Sequence, residues 1–371
     1  MTLACHNSIA NEGMQLLVIL ALLLCPISAQ AVEPAFEDTV MRAEVVSVLL
    51  SGDRAIEGTT VSETYQKLSV RVIEGKQEGA VLEVENSSAV ALAPGDVFYL
   101  HKVEGETGPM YAVGEPDRRW ILFGLGALFV LVTIVGAGMA GVRSLLSLVV
   151  SFVILLFGLV PALSSGAPPV LTSVAFAVVM LAVAMIVTHG LKRATLVALV
   201  GSVAALIFAA VVAEIAVSLA KLSGFASDEV VYLNFATDGM LNLPALLLGG
   251  ILIGIVGILN DVSVSQVHTV LEIAGANPSL TKTEVLTRAV RVGQEHLGAV
   301  VNTLPLAYAG ASLPLILLFY GSDAPALFIL NREMFAVELI RTFAGGIGLI
   351  LSGVIATGLA VMFVVGQRHP S

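Results

Sequence analysis

An apolar pattern turns polar without a break within residues 257–284, which read GILNDVSVSQVHTVLEIAGANPSLTKTE. If one helix runs through this stretch, positions i, i+4, i+7 and i+11 form one polar stripe, namely Asp261, Ser265, His268 and Glu272. Ionisable side chains at membrane depth are costly, so they usually face a protein interior or a water-filled path. The pattern therefore indicates a site that binds or relays a cation or a proton.

The segment that follows combines polar and apolar residues in the same way. Thr281 and Glu284 have the spacing of a capping box, which predicts the start of a second helix. This helix carries a second acid, Glu295, and runs into an apolar stretch. We expect the two helices to pack antiparallel and to bring their polar stripes to the same membrane face.

Two neutral polar residues, Asn302 and Thr303, precede Pro305 in that stretch. Proline has no N–H, so the carbonyl of Val301 loses its helical hydrogen bond and a kink is expected. Discontinuous helices that meet at membrane depth form the binding sites of many transporters. Asn302 and Thr303, together with Ser265, are therefore candidate neutral oxygen ligands on an ion pathway.

These candidates also have a structural interpretation. Asp261 at the membrane interface, paired with Arg288 or Arg291, is the alternative to a buried functional acid. Asn302 and Thr303 equally fit hydrogen bonds that lock helices together, each worth about 0.6–2 kcal/mol in membranes. Both interpretations stay open at the level of sequence.

Two further residues are secondary candidates. His268 belongs to the stripe, and Glu214 lies six residues before the end of a predicted span, as a mouth acid or a snorkelling side chain. His268 and Glu272, facing Glu295 and His296, would place two ligand pairs on facing helices. The chain lacks the repeated carboxylate-plus-histidine motif of di-iron bundles, so we predict neither a metal site nor another cofactor.

Composition fixes the broad class of the protein that carries these residues. Charged residues make up 12% of the chain, apolar ones 57%, and the mean hydropathy is +0.95. Soluble domains carry roughly 25% charged residues, so a polytopic protein embedded in a lipid bilayer is predicted. The net charge of −10 argues against a nucleic-acid partner, which needs a basic surface.

Seven apolar spans are predicted between residues 118 and 371, the transmembrane helical domain. Their predicted bounds are 120–140, 144–163, 168–189, 194–220, 244–262, 296–320 and 341–366. The fifth contains Gly250 and Gly254, a small-xxx-small pair that favours close approach of another helix. In the seventh, a flat face predicts tight packing in the bundle or, alternatively, a homo-oligomer; its residues are Gly348, Ser352, Ala356 and Ala360.

The sequence of the N-terminal third of the chain predicts two further segments, a signal peptide or anchor and a β domain. Residues 1–31 contain an apolar run of about a dozen residues and then Ala29-Gln30-Ala31, which indicates a cleaved signal peptide or, alternatively, a short anchor. Both cysteines lie in this segment, so no disulfide is expected in the mature chain. Residues 32–117 alternate apolar and polar side chains between turn residues, which is typical of a small all-β domain, for example a five-stranded barrel.

Charge asymmetry predicts the orientation. If the signal exports the β domain, one side receives most of the basic residues: Arg143, Lys192, Arg193, Lys282, Arg288, Arg291 and Arg368. Basic residues favour the cytoplasmic side. We therefore expect the β domain outside and the C-terminus in the cytoplasm.

Four stretches of the chain carry a resemblance to a known family: DVSVSQVHTVLEI, RVGQEHLGAVVNTLPLAYAGASLPLILLF, VRVIEGKQEGAVLEVEN and PGDVF. Together they resemble the YibE/F-like family of multi-span bacterial membrane proteins, most densely from Gly250 to Phe319. The resemblance implies the plasma (inner) membrane of a bacterium. The family pattern falls on Asp261, Ser265, Glu272, Gly293, Gly298, Asn302, Thr303, Ala307, Tyr308, Gly310, Ser312, Leu313 and Pro314. It also implies an acid at or beside Glu295, whereas Gln266, His268 and Pro305 depart from it.

The acids at membrane depth, the expected kink and the small-residue packing favour a transporter or channel for a small solute or ion, coupled to protons or cations, whereas the resemblance supports the architecture. The alternative is a membrane scaffold or sensor whose exported β domain binds a partner. Signatures of intramembrane enzymes, such as Gly-x-Ser-x-Gly or His-Glu-x-x-His, do not occur in the sequence, so we do not expect an enzyme.

Overall fold

A computed structural model describes residues 39–55, 62–75, 77–87, 90–105, 108–321 and 324–363. The predicted signal peptide or anchor, with both cysteines, lies outside these residues. The described chain forms two compact units, one up to Gly136 and one from Ala137 onward.

The first unit is built on five antiparallel strands. They are β1 (Thr39–Ala55), β2 (Ser62–Glu74), β3 (Val81–Asn86), β4 (Val97–Gly105) and β5 (Gly108–Pro116), and their order in the sheet is β3-β2-β1-β4-β5. Leu68, Val70 and Val72 of β2 are fully buried, as their two-residue alternation predicts. The edge strands β3 and β5 contact each other, so the sheet curls toward a barrel. The predicted five-stranded β domain is thus confirmed.

The rest of the described chain is helical. Its elements are α1 (Arg119–Ile154), a π-helical turn (Leu155–Leu159), α2 (Val160–Ser164), α3 (Pro169–His189), α4 (Arg193–Leu219), α5 (Asp228–Ala236), α6 (Leu243–Ala276), α7 (Lys282–Val301), α8 (Thr303–Ala311), α9 (Leu313–Tyr320), α10 (Ala326–Leu330) and α11 (Glu333–Phe363). In the second unit α4, α6 and α11 pack against one another at the centre, with α3 against α6 and α4, and α7 against α6 and α11.

Small residues set the contact between α4 and α11. A Cβ atom on Gly201 would stand 3.1 Å from the Cα atom of Ala356, and one on Gly348 would stand 3.0 Å from the Cβ atom of Ala209. The flat face predicted on the last span is therefore buried inside the bundle, where it lets two helices approach closely.

The spans agree with the sequence in part. Within the described residues, five helical stretches are long and apolar enough to cross a membrane, or six if the bent α7–α9 segment counts as one. The first and second predicted spans fall in one stretch, Arg119–Ser164, whose helical backbone is interrupted at Gly138 with φ 56° and ψ −136°. Left-handed backbone of this kind favours glycine.

A neighbouring helix approaches α6 closely at Gly249, one residue before Gly250, which the sequence suggests. Gly249 is buried and its Cα lies directly against Ser173 of α3. Gly250 is exposed, and a Cβ atom placed on it would have nothing within 4 Å. A Cβ atom on Gly254 would stand 3.4 Å from the hydroxyl oxygen of Tyr308. Of the small-xxx-small pair, Gly250 therefore opens a depression on α6, whereas Gly254 faces α8.

Candidate functional site

α6 is one continuous helix of 34 residues and carries the predicted polar stripe. Its first turn is capped by the side chain of Asn242, whose oxygen accepts a hydrogen bond from the backbone N–H of Ala245 at 3.1 Å. Helical backbone persists through Asp261 to Ala276, which confirms that the stripe lies along one helix face.

The stripe lies on the edge of the packed core. Asp261, His268 and Glu272 are exposed in the isolated chain, and Ser265 is half-buried. The Nδ2 atom of Asn260 donates a hydrogen bond of 3.0 Å to Asp261 Oδ1. Asp261 therefore has a local partner on its own helix.

Two histidines lie beside this acid. His189, the last residue of α3, meets His268 edge to face with ring centroids 5.8 Å apart. The charges of Asp261 and His189 are close enough to interact. His189 of α3 thus contacts His268 and interacts with Asp261 of α6, which the sequence did not suggest because His189 is distant along the chain.

A different set of polar residues occupies the core between α6, α7 and α11. Gln266 is 1% exposed and accepts a hydrogen bond of 3.2 Å from the hydroxyl of Thr357 on α11. A Cβ atom on Gly293 of α7 would stand only 2.6 Å from Gln266 Oε1. Ser263, on the same buried side of α6, is fully buried. We did not predict this group from the sequence, although an amide side chain such as Gln266 among the apolar residues of a helix indicates a buried polar contact.

α7 begins at the predicted capping box. The hydroxyl of Thr281 accepts from the N–H of Glu284 at 3.3 Å, and the carboxylate of Glu284 accepts from the N–H of Thr281 at 2.8 Å. Gly293 faces α6, whereas Glu295, two residues on, is exposed on another side of α7. The capping box is confirmed, and the second acid points away from the α6 contact.

The helix then breaks twice. Asn302 separates α7 from α8 ahead of Pro305, where the sequence predicts a kink, but its backbone stays right-handed helical with φ −76° and ψ −18°; Asn302 and Thr303 are both exposed there. The second break, at Ser312 ahead of Pro314, bends the axis by 67°. Pro314 has no N–H for the carbonyl of Gly310, so the same rule that located the first break also explains the second.

The predicted residues form separate groups. Asp261 and His268 lie together near His189, but in the described part of the chain no hydrogen bond or ion pair joins Asp261 to Glu295, Asn302 or Thr303. The expected partners of Asp261, Arg288 and Arg291, are exposed on α7, and its described partner is Asn260 instead. Glu214 is exposed on α4. Among the described residues, no cluster of three or more His, Cys, Asp or Glu could hold a metal ion.

A cavity of about 290 Å³ lies where the N-terminal halves of α6 and α11 meet the segment around Ser227. We call it the α6–α11 cavity; it is lined by Ser227, Gly250, Glu338 and Arg341 together with apolar side chains. Arg341 Nη1 lies 3.2 Å from Glu338 Oε1, and its guanidinium carbon lies 5.6 Å from the ring centre of Tyr308 on α8.

Comparison with known proteins identifies one family. No curated protein and no solved structure matches the chain. The family model described as YibE/F-like protein matches residues 125–366, which include every helix from the first part of α1 to the end of α11. Because the match covers more than half of the chain, the protein belongs to the YibE/F-like family.

Proposed function

We propose that the protein is a membrane transporter or channel that moves a small solute or ion and is coupled to protons or cations. The observation that carries this proposal is the broken helix α7–α9, with breaks at Asn302 and Ser312 and a 67° bend at the second. In a bilayer, irregular backbone is tolerated only where protein buries it or where it lines a water-filled cavity. Transporters use such broken helices to place backbone and side-chain oxygens at a site.

The polar residues of α6–α8 supply the groups that such a pathway needs. Asp261, Glu272 and Glu295 are the acids that bind or relay the coupling ion. Ser265, Asn302 and Thr303 supply neutral oxygens. His189, which interacts with Asp261 and contacts His268, supports a relay, because a neutral imidazole can both accept and donate a proton.

The proposed topology has seven spans in the plasma membrane of a bacterium. Gly138 divides Arg119–Ser164 into two segments that are each about as long as a span requires, and α7–α9 counts as one broken span. With a cleaved signal peptide, the β domain lies outside and the C-terminus lies in the cytoplasm, in keeping with the positive-inside bias.

The test is transport by purified protein in liposomes that enclose a pH-sensitive dye. A panel of ions and small metabolites is added to wild type, to Asp261→Asn and to Asp238→Asn. Asp238 lies outside the spans with φ 50°, a conformation that asparagine also adopts readily, so Asp238→Asn removes the same charge without strain.

We expect at least one solute to move protons in wild type and in Asp238→Asn, and proton movement to fall at least about tenfold in Asp261→Asn. Gel filtration of all three proteins checks that they are equally folded. Equal proton movement in wild type and Asp261→Asn would remove Asp261 from the pathway.

The scaffold or sensor function is the second candidate. It is supported by a cavity of about 330 Å³ in the first unit, lined by Arg42, Asp117 and Trp120 among others. A scaffold tolerates Asp261→Asn in a deletion strain but loses function when this cavity is altered, so the two candidates predict opposite phenotypes.

A further inference from the structure

The α6–α11 cavity has the composition of a small-molecule site. Its wall is mostly apolar, formed by Val230, Leu243, Leu246, Leu247, Met334 and Val337. Three polar side chains interrupt this wall, those of Ser227, Glu338 and Arg341. Ligand sites are typically apolar cavities of roughly 300–1,000 Å³ with a few placed polar groups, so this cavity fits a ligand at the small end of that range.

Arg341 is incompletely satisfied. Its Nη1 atom reaches Glu338, but its Nε atom is buried and has no hydrogen-bond partner in the described part of the chain. A guanidinium has five N–H donors, and burying a donor without an acceptor is unfavourable. An acceptor brought by a ligand would relieve this.

The contact between Arg341 and Glu338 leaves room for a competitor. At 3.2 Å it is longer than the roughly 2.7–2.9 Å of a strong charge-assisted hydrogen bond. The ring of Tyr308 lies 5.6 Å from the guanidinium carbon, within the range of a cation–π contact. A planar fork of donors held in this way matches the two oxygens of a carboxylate or phosphate better than it matches a neutral group.

We propose that the α6–α11 cavity binds a small organic anion, whose carboxylate or phosphate oxygens pair with Arg341 and whose short hydrocarbon part lies against Leu246, Leu247 and Met334. Glu338 limits the affinity, because it holds the same guanidinium and repels the ligand. The site uses none of the residues of the proposed ion pathway, so it does not depend on the transport proposal.

Gly250 gives a way to close the cavity without changing charge. It lines the cavity, and a Cβ atom there has nothing within 4 Å. Gly250→Val therefore fits the folded protein and places methyl groups where the ligand would lie. Gly257 lies two turns on along α6 with equally open space at its Cβ position and is not among the cavity residues, so Gly257→Val is the matched control.

The test uses the full-length protein in nanodiscs of zwitterionic lipid, titrated calorimetrically with hexanoate, with hexanol of the same length, and with inorganic phosphate. We expect hexanoate to bind, and hexanol and phosphate to bind at least about tenfold more weakly, because each lacks one of the two recognised parts. Arg341→Gln and Gly250→Val should each raise the Kd for hexanoate at least about tenfold, and Arg341→Lys should give an intermediate value.

Glu338→Gln separates a binding site from a structural ion pair. If Arg341 binds an anion in competition with Glu338, removal of the Glu338 carboxylate lowers the Kd for hexanoate by roughly two- to tenfold. Arg288→Gln on α7 and Gly257→Val should leave the Kd unchanged. The proposal is wrong if hexanol binds as tightly as hexanoate, or if Arg341→Gln and Gly250→Val bind like wild type. Nanodiscs with phosphatidylglycerol form the last arm: loss of hexanoate binding there would mean that a lipid headgroup, not a free solute, occupies the cavity.

Discussion

Gly293 of α7 lies directly against the buried amide of Gln266 of α6, so that a Cβ atom on the glycine would stand 2.6 Å from Gln266 Oε1. The same oxygen accepts the hydroxyl of Thr357 on α11 at 3.2 Å. One buried amide thus fixes the contact of three helices, and the glycine provides the space for it. In a bilayer, where apolar contacts between helices compete with equally apolar lipid, polar bonds and close packing hold helices together.

Gly293→Ala should therefore destabilise the helical bundle. The added methyl group forces Gln266 to move, although that side chain is buried and bonded, and overpacking of this kind is worth about 1–3 kcal/mol. Thermal unfolding of the protein in detergent measures the change. Gly298→Ala on the same helix is the control, because nothing lies within 4 Å of a Cβ atom there. A Gly293→Ala protein as stable as the control would show that Gln266 is free to turn away.

Asp117, just before α1, joins two arginines. Arg119 Nε donates to Asp117 Oδ1 at 2.9 Å, and Arg42 of β1 donates to Oδ2 at 2.8 Å. These hydrogen bonds, that from Arg119 foremost, lower the pKa of Asp117 well below its ordinary value. A lowered pKa in the folded state contributes stability above the unfolded pKa of about 3.9, and this contribution is lost as the pH falls further.

Asp117→Asn should lower the melting temperature of the first unit at pH 7 and flatten its decline below about pH 4. Trp120 is the single tryptophan of the chain and lines the same cavity as Asp117, so its fluorescence reports this unfolding. The control is Glu115→Gln, because Glu115 pairs with Arg118 on the surface, where an ion pair contributes little. If the melting temperatures of Asp117→Asn and Glu115→Gln depend on pH in the same way, the hydrogen bonds of Arg42 and Arg119 to Asp117 do not stabilise the first unit.

Local patterns predicted much of the fold. The alternation of Leu68, Val70 and Val72 gave the buried side of β2, and Thr281 with Glu284 gave the start of α7. Both patterns involve residues that are close together in the chain, so they can be recognised in a single sequence. The division between the first two predicted spans was placed at residues 141–143, whereas the backbone is interrupted at Gly138; glycine is common in apolar helices, so only the backbone conformation locates the break.

The site was harder to predict, because its contacts join distant parts of the chain. Periodicity placed Asp261 and His268 on one face of α6, but it did not say which helix faces them, and His189 was missed for that reason. Arg341 is the first residue of the last predicted span and Glu338 lies just before it, and nothing local links them to Tyr308.

The capping box at the start of α7 makes a separate prediction. Thr281→Ala removes the acceptor for the N–H of Glu284, and loss of such a cap destabilises a helix by about 0.5–2 kcal/mol. Amide hydrogen exchange in the first turn of α7 should increase while that of α4 stays unchanged. Thr283→Ala, two residues further along on the exposed surface, is the matched control and should not increase exchange. Equal exchange in the two variants would count against the cap.

Pro314 is expected to maintain the bend at Ser312. Alanine at this position restores an N–H for the carbonyl of Gly310, so Pro314→Ala should straighten α8–α9 and reduce transport. With a rise of 1.5 Å per residue, removal of the 67° bend lengthens the axis between Leu306 and Leu318 by about 3 Å.

Electron paramagnetic resonance between spin labels at these two exposed positions measures this distance, in a chain without its native cysteines. Pro305→Ala is the control, because Asn302 keeps right-handed helical backbone, with φ −76° and ψ −18°, and little bending is stored there. An unchanged distance in Pro314→Ala would mean that packing, and not the missing N–H, bends the helix. Straightening without any change in transport would instead separate the bend from the proposed pathway.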